Sequence, residues 1–369
     1  MAQSTPAQNA QRLPAEQVFG EELNRLKDWD DRPKPPGWAL SPVSIEHFIL
    51  GYEPLNIERK VVVDRALITR LVTSVASNRG VMLVGTPGTA KSWLSELLSA
   101  AICGSSTLVV QGGAITDIQQ VLYRWNEQLV VELGWCREAL LPGPLVRAMQ
   151  AGQLLRFEEM ARCSPEVQDA LLSLISERCL VVPELPGPEG IIYAAQGFNL
   201  IATSNSLDAG INNLSAALKR RLNFETLYPI AHIDDEVAVV LRESKILLQN
   251  SGVPIDLQPE LVMMLVTIFH ELRTGCTVNG TTTDRLVSTV MSTAEAISVA
   301  HAMGVSAYYY SEGNMDSDDL VYFLLGAAVK DNQHDLRRLK HYFDSNIANK
   351  EGEHWQKVYQ SAIKILKQG

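Results

Sequence analysis

Four apolar residues, Val81-Met82-Leu83-Val84, run into the turn Gly85-Thr86-Pro87-Gly88-Thr89-Ala90-Lys91-Ser92, after which Trp93, Leu94, Leu97 and Leu98 return at helical spacing. That pattern predicts a buried strand, a Gly/Pro turn and a helix. Upstream, Asp64 to Ser77 has helical spacing (Ala66, Leu67, Leu71, Val75) and leads through Asn78-Arg79-Gly80 into the strand. Downstream, Thr107–Val110 reads as a second strand, and Gln153–Phe157 as a third that ends in Glu158-Glu159. Ser164-Pro165-Glu166 then opens a helix, with proline in the first turn. Phe198–Thr203 is another buried strand, closing on Ser204-Asn205. Strands alternating with helices predict an α/β fold, a parallel sheet with helices on both faces. In such sheets ligands collect at the carboxyl ends of strands, which is where Gly85, Glu158-Glu159 and Asn205 all stand.

After Pro229 the pattern is helical only, over about 234–250, 258–273, 283–302, 317–330, 333–345 and 353–367. The expected organisation is a disordered arm with a proline-rich linker (1–40), an α/β domain (41–229) and an all-α lid domain with a C-terminal helical extension (230–369). Within the α/β domain a mixed stretch, Ile118–Arg137, carries Trp125 and Trp135. The segments Cys179–Leu185 and Ile191–Ala195 flank Pro186-Gly187-Pro188-Glu189-Gly190 and read as a hairpin.

Composition narrows the function. The chain is 46% hydrophobic and 20% charged, ordinary for a globular protein, and no apolar run is long enough to span a bilayer. Met1 to Gln17, rich in Ala, Gln and Pro, lacks the charged-then-apolar order of a signal peptide. A formal net charge of −10 argues against a surface built to hold nucleic-acid phosphates. Five scattered cysteines form no CxxC pair, and the histidines no HExxH, so buried reduced thiols in a cytoplasmic protein are expected.

The candidate chemistry is phosphoryl transfer. Gly85 and Gly88 let successive N–H groups face one point as an anion nest, to which the new helix adds its positive end. Lys91 reaches the β- and γ-phosphates, and the Ser92 hydroxyl ligates Mg²⁺. The general pattern has Gly before the Lys; Ala90 fits there if the residue is already helical. Glu158 is assigned to the Mg²⁺ shell, where Asp is usual, and Glu159 to polarising the attacking water. The Asn205 amide could hold that water or the γ-phosphate. Arg220-Arg221 forms a basic knot beyond the last strand, and Arg285 is expected to open the helix Leu286–Val299.

Over roughly residues 60–300 these elements, in this order, resemble the MoxR branch of the AAA+ ATPases. The Pro87-Gly88 and Ala90-Lys91 loop is similar to that branch's variant, and Pro142-Gly143-Pro144-Leu145 resembles its segment ahead of Walker B. Glu159-Met160-Ala161-Arg162-Cys163-Ser164-Pro165 resembles its post-Walker B helix, and Ala202-Thr203-Ser204-Asn205 its sensor 1. Ala217-Leu218-Lys219-Arg220-Arg221-Leu222 resembles its arginine-finger segment, with Arg221 at the finger position ahead of Arg220. Thr283-Asp284-Arg285 sits where its sensor 2 arginine belongs. The resemblance implies ATP and Mg²⁺ as cofactors, held by Gly85, Thr86, Pro87, Gly88, Thr89, Ala90, Lys91, Ser92 and Trp93, with Ser92 and Glu158 on the metal. It implies ATP hydrolysis by Glu159, Asn205, Arg221 and Arg285. It also implies a homo-oligomeric, hexameric ring with insertions 118–137 and 179–195 facing the pore, and a von Willebrand factor A-domain partner. The expected role is chaperone-like remodelling of a protein client. The alternatives are a DNA-processing or restriction-type motor, for which 118–137 offers only Arg124 and Arg137 against Glu127 and Glu132, and a slow ATP-driven assembly switch.

Overall fold

Alternation along the first strand sorts its side chains to two faces, and this sets the layers of the α/β part. The computed structural model describes residues 12–77, 79–205, 214–286, 289–330 and 332–366. The chain falls into two units, one running to Leu227 and the other from Tyr228 onward, with Thr86–Thr89 clustering with the second.

The first unit begins with α1 (Ala15–Val18), α2 (Gly20–Trp29), α3 (Pro42–Leu50) and α4 (Arg65–Ala76). Next come β1 (Gly80–Gly85), α5 (Lys91–Cys103), β2 (Val109–Gln111), β3 (Tyr123–Trp125), α6 (Glu127–Leu133) and β4 (Leu140–Pro142). It continues through α7 (Pro144–Ala151), β5 (Leu154–Glu158), α8 (Pro165–Glu177), β6 (Cys179–Val181), β7 (Ile191–Tyr193), β8 (Asn199–Asn205), α9 (Ala216–Lys219) and β9 (Leu222–Thr226). Five strands form a parallel sheet in the order β2-β5-β8-β1-β9. Val81 and Leu83 join Leu154 and Ile201 in a core with Ile68, Leu71 and Leu97 from α4 and α5. Met82, Leu155, Phe157 and Ala202 point the other way, against Val146, Met149 and Leu171 from α7 and α8. The period of two along a strand makes this division, and it sends Arg156 and Glu158, in step with Leu154, toward α5.

Local rules place the helix starts. Ser41 accepts from the Ser44 amide, Asp64 from Ala66 and Ser164 from Val167, each capping the helix that follows. The buried Asn199 amide donates to the carbonyls of Val75 (2.8 Å) and Arg79 (3.1 Å), fastening the end of α4 to the start of β8.

The expected disordered arm is corrected over its described part. Residues 1–11 lie outside the described residues, but from Ala15 to Trp29 the chain is helical, with Ala15 and Leu26 fully buried. Phe19 packs edge-on against Phe48, and the Lys60 ammonium, paired with Glu22, lies 4.6 and 4.3 Å from the Phe19 and Phe48 ring centres. Phe19, Leu23 and Leu26, at i, i+4 and i+7, supply the apolar stripe that an Ala/Gln/Pro-rich composition disguises.

The mixed stretch 118–137 contains β3 and α6, and β3 pairs antiparallel with β4. The expected hairpin forms from β6 and β7. The two segments are tied together: Glu184 accepts from Tyr123 Oη (3.1 Å) and Trp125 Nε1 (3.4 Å), and Arg137 donates to the carbonyls of Glu189 (3.0 Å) and Ile191 (2.9 Å). Of the thiols, Cys163 is buried and Cys276 is exposed, so the expectation of five buried cysteines does not hold throughout.

The second unit is helical: α10 (Ile233–Asn250), α11 (Pro259–Thr274), α12 (Thr293–Tyr310), α13 (Ser317–Ala328), α14 (Gln333–Ser345) and α15 (Glu353–Leu366). They share one core that includes Val240, Phe269, Ala300, Leu324, Tyr342 and Val358. Among the described residues no helix is long and apolar enough to cross a membrane. At the heart of this unit Arg273 grips the fully buried Glu236 with two bonds (3.0 and 2.7 Å), and Thr293 donates to the same carboxylate at 2.6 Å. Burial pushes the Glu236 carboxyl up, but bonds from His270 and Arg273, the Arg273 charge and the Thr293 hydroxyl outweigh it and hold the pKa at about 2.

A carboxyl acidified on folding stabilises the fold above its unfolded pKa and ceases to do so as pH falls through the folded value. Glu236→Gln, which leaves Arg273 buried without its counter-charge, is expected to cost about 3–5 kcal/mol at neutral pH. Denaturant melts should show that deficit constant above pH 4.5 and shrinking from there toward pH 2, the two ends of the Glu236 shift.

Candidate active site

At the carboxyl end of β1 the chain leaves the sheet at Gly85 and re-enters regular structure at Lys91, passing through left-handed backbone at Gly88 (φ 76°) and Ala90 (φ 61°, ψ 24°). Ala90 is therefore not helical as the sequence reading required. It is the residue at which the loop reverses into α5, and its methyl group bears a strain that glycine would not. No side chain caps α5, so the N–H groups of its first turn have no intrahelical partner and point out of the helix start. Lys91 is buried, and its ammonium donates to the Gly85 carbonyl at 3.0 Å, while Thr89 Oγ1 donates to the Thr86 carbonyl at 2.9 Å.

Trp93 follows Ser92 in the first turn of α5. Its ring packs against Phe19, centroids 6.0 Å apart, so what it brings to the helix start is its backbone N–H alone.

Glu158 ends β5 with 2% of its surface exposed. Its two oxygens accept from four groups: Ser92 Oγ (2.6 Å) and Thr203 Oγ1 (2.7 Å) on Oε2, Ser95 Oγ (2.5 Å) and Arg156 Nη2 (3.1 Å) on Oε1. The two residues named from the sequence as metal ligands, Ser92 and Glu158, are thus in direct contact. Thr203, Ser95 and Arg156 are residues that the sequence reading left without a role. The signal for Arg156 was available: a charged residue inside an otherwise apolar strand must find a partner.

Glu159 follows in left-handed backbone (φ 54°), which turns its carboxylate away from the Glu158 cluster and into an ion pair with Arg162 at 3.2 Å. Its amide donates to Thr203 Oγ1 at 3.0 Å, so one threonine fixes both acidic residues. The chain after β2 comes so close to Glu159 that a Cβ on Gly112 would stand 2.3 Å from the Glu159 carbonyl oxygen. Asn205 closes β8 directly opposite Gly85 in register, and Glu158 lies opposite Gln111. Gly85, Glu158 and Asn205 thereby sit at the same edge of three adjacent strands.

Arg221 follows α9 at the entry to β9, its Nε donating to Ser176 Oγ on α8 and its Nη1 to the Ala217 carbonyl at 3.1 Å. The Arg220 carbonyl accepts from Arg79. Arg285 is exposed, and it does not open a helix: α12 begins only at Thr293, where Ser292 and Glu295 form a reciprocal capping box. Residues 287 and 288 of the expected helix lie outside the described residues.

A buried ammonium, uncapped helix N–H groups, and a hydroxyl beside a carboxylate make a donor set that fits a magnesium-bound nucleotide triphosphate. Residues 80–222 match the family model of the AAA domain, dynein-related subfamily, and residues 234–365 match the model of the YehL-like AAA+ ATPase C-terminal domain. The YehL protein of Escherichia coli K12 is 45% identical over 358 residues, which cover 96% of this chain and 98% of that one. The chain belongs to the YehL-like AAA+ ATPases. Midasin of Giardia intestinalis is 28% identical over 263 residues, covering 62% of this YehL-like chain and 5% of midasin. Among solved structures, NtrX from Brucella abortus in complex with ATP is 15% identical, with a TM-score of 0.48 over 84% of this chain and 69% of that one.

The left-handed Ala90 makes a directional prediction. Ala90→Gly should raise the thermal stability of the protein by about 1 kcal/mol by relieving strain, and Ala90→Val should lower it. Were Ala90 helical, glycine would instead cost about 1 kcal/mol, so the sign of the shift in a melting experiment decides.

Proposed function

We propose that this YehL-like protein is an ATPase of the MoxR type, working in the cytoplasm as a hexameric ring that remodels a protein client. The observation that carries the ATPase reading is the convergence of Lys91, Ser92, Glu158 and Asn205 on one edge of the sheet, with Glu159 directly after Glu158. In this reading Lys91 and the α5 N-terminus bind the phosphates, and Mg²⁺, held through Ser92 and Glu158, neutralises their charge. Glu159 polarises water and Asn205 orients it. The Glu159–Arg162 pair sits across that role, so Arg162 must yield when water is activated.

Arg221 is proposed as the finger that completes a neighbour's site, and Arg285 as the sensor 2 arginine. An arginine finger is worth about 10³–10⁵ in rate. A protein client is favoured over a nucleic acid by the insertions. Val131, Leu133 and Trp135 in the first, and Val181 and Tyr193 in the second, are exposed apolar side chains. Arg137, one of the two basic residues a DNA motor would use there, is spent on the Glu189 and Ile191 carbonyls. A von Willebrand factor A-domain protein is the proposed partner.

Arg221→Ala is expected to abolish hydrolysis while keeping nucleotide affinity, measured side by side. Mixing it with Glu159→Gln subunits should restore part of the turnover, because a finger from one copy then meets an intact water-activating site on the other. Full hydrolysis by Arg221→Ala alone would remove the ring from the proposal. Separately, the Glu159→Gln protein with ATP and Mg²⁺ should retain a protein client in a pull-down. Retention of DNA instead, with steep salt dependence, would overturn the remodelling role.

A further inference from the structure

Arg156 is buried between two carboxylates. On one side Nη2 donates to Glu158 at 3.1 Å; on the other Nη1 lies 3.7 Å from Glu96 Oε2. Nε donates to Ser95 Oγ (3.1 Å), and the remaining donors reach the carbonyls of Ser106 (3.0 Å) and Ser92 (3.1 Å). Glu96 is itself shared: it accepts from Arg12 Nη2 (2.6 Å) and from the Ala15 amide (3.2 Å). A second thread runs alongside, since the Ser106 hydroxyl donates to Glu16 at 2.7 Å. Charges therefore alternate in a line, Arg12–Glu96–Arg156–Glu158, from the N-terminal segment to the carboxylate beside Ser92.

Inside a protein such a line is coupled, because each charge is neutralised by its neighbours rather than by water. The more of Arg156 that Glu96 takes, the less is left for Glu158. Arg12, with 71% of its side chain exposed, is the one member of the line that solvent reaches freely. We propose that Arg156 is a positioning residue for Glu158, and that Arg12, by satisfying Glu96, sets how fully Arg156 neutralises Glu158 and hence how tightly the site holds Mg²⁺ with its nucleotide. Docking of the segment Arg12–Val18 is then a control on the metal site. This rests on the reading of Glu158 as part of the Mg²⁺ shell.

The test is equilibrium binding of a fluorescent ATP analogue to the full chain, titrated with MgCl₂, so that no turnover is needed. Without Arg12, Arg156 turns toward Glu96 and Glu158 gains effective charge. Arg12→Gln is therefore expected to lower the half-saturating Mg²⁺ concentration by at least about three-fold, the scale of one partly screened charge. Glu96→Gln should raise it by a similar factor, because Arg156 then serves Glu158 alone. Arg12→Lys should restore the starting value, and Arg12→Gln should have no effect in an Arg156→Met background. Nucleotide affinity in EDTA should be the same throughout, which a general loosening of the fold would not leave untouched. If the starting protein binds the analogue in a Mg²⁺-dependent way but Arg12→Gln causes no shift, or shifts it in the same direction as Glu96→Gln, the relay is wrong. Arg12→Gln, at an exposed position, decides this even where Glu96→Gln does not fold. If the starting protein shows no Mg²⁺-dependent binding, the ATPase reading fails first and the relay with it.

Discussion

A carboxylate almost withdrawn from water is costly unless every lone pair has a donor, and the arrangement around Glu158 follows from that constraint. Its donors come from three elements: Arg156 on β5 itself, Thr203 on β8, and Ser92 and Ser95 one turn apart on α5. Satisfying one buried charge thus fixes the rotation of α5 against the sheet and the lateral position of β8. The start of α5, which fixes where Lys91 and the loop before it stand, is set by the same demand. The geometry offered to a phosphate is in this sense a consequence of solvating Glu158 from within.

Much of this was legible in the chain because it rests on local rules. An apolar run must be buried, a polar residue at its end must stand at the strand's mouth, and a Gly/Pro loop before a helix must turn there. Hence Gly85, Glu158 and Asn205 could be grouped before any strand order was known, and the register of β1 with β8 sets the first and last of them opposite each other. Strand neighbours themselves are not written locally. Thr203 and Ser95 gave no signal, because a hydroxyl residue within a buried pattern is compatible with many partners and only the pairing of β5 with β8 selects one.

Elsewhere the stronger of two competing signals was the misleading one. Ala90 reads as a helix former, yet the chain must reverse before α5 can start, and backbone direction outweighs the roughly 1 kcal/mol of propensity at stake. Apolar residues around Leu286 and Val290 continue a helical spacing back to Thr283, but the Ser292/Glu295 pair carries the start, a capping-box spacing visible in the sequence itself. At the N-terminus, extending the Ala/Gln/Pro-rich character of 1–17 to an arm reaching residue 40 concealed a short amphipathic helix whose Leu26 is completely buried.

The two departures of β5 from the usual pattern, Glu158 for aspartate and Arg156 within an apolar strand, are then one departure. An aspartate is shorter by a methylene, and its oxygens would lie more than an ångström further back along the side chain, too far to keep both Ser92 at 2.6 Å and Ser95 at 2.5 Å. Glutamate gains that reach but carries its charge deeper under α5, where water cannot screen it. A cation must follow it there, and the residue two positions earlier on the strand faces the same side. Arginine rather than lysine answers the need, since its fixed fork serves Glu158, Ser95 and two carbonyls at once. But a single guanidinium placed there also comes within reach of Glu96, the one acid on α5, and that acid in turn requires a cation, which the N-terminal segment brings as Arg12. One added methylene at the end of β5 thereby accounts for a chain of charges reaching to the surface of the protein.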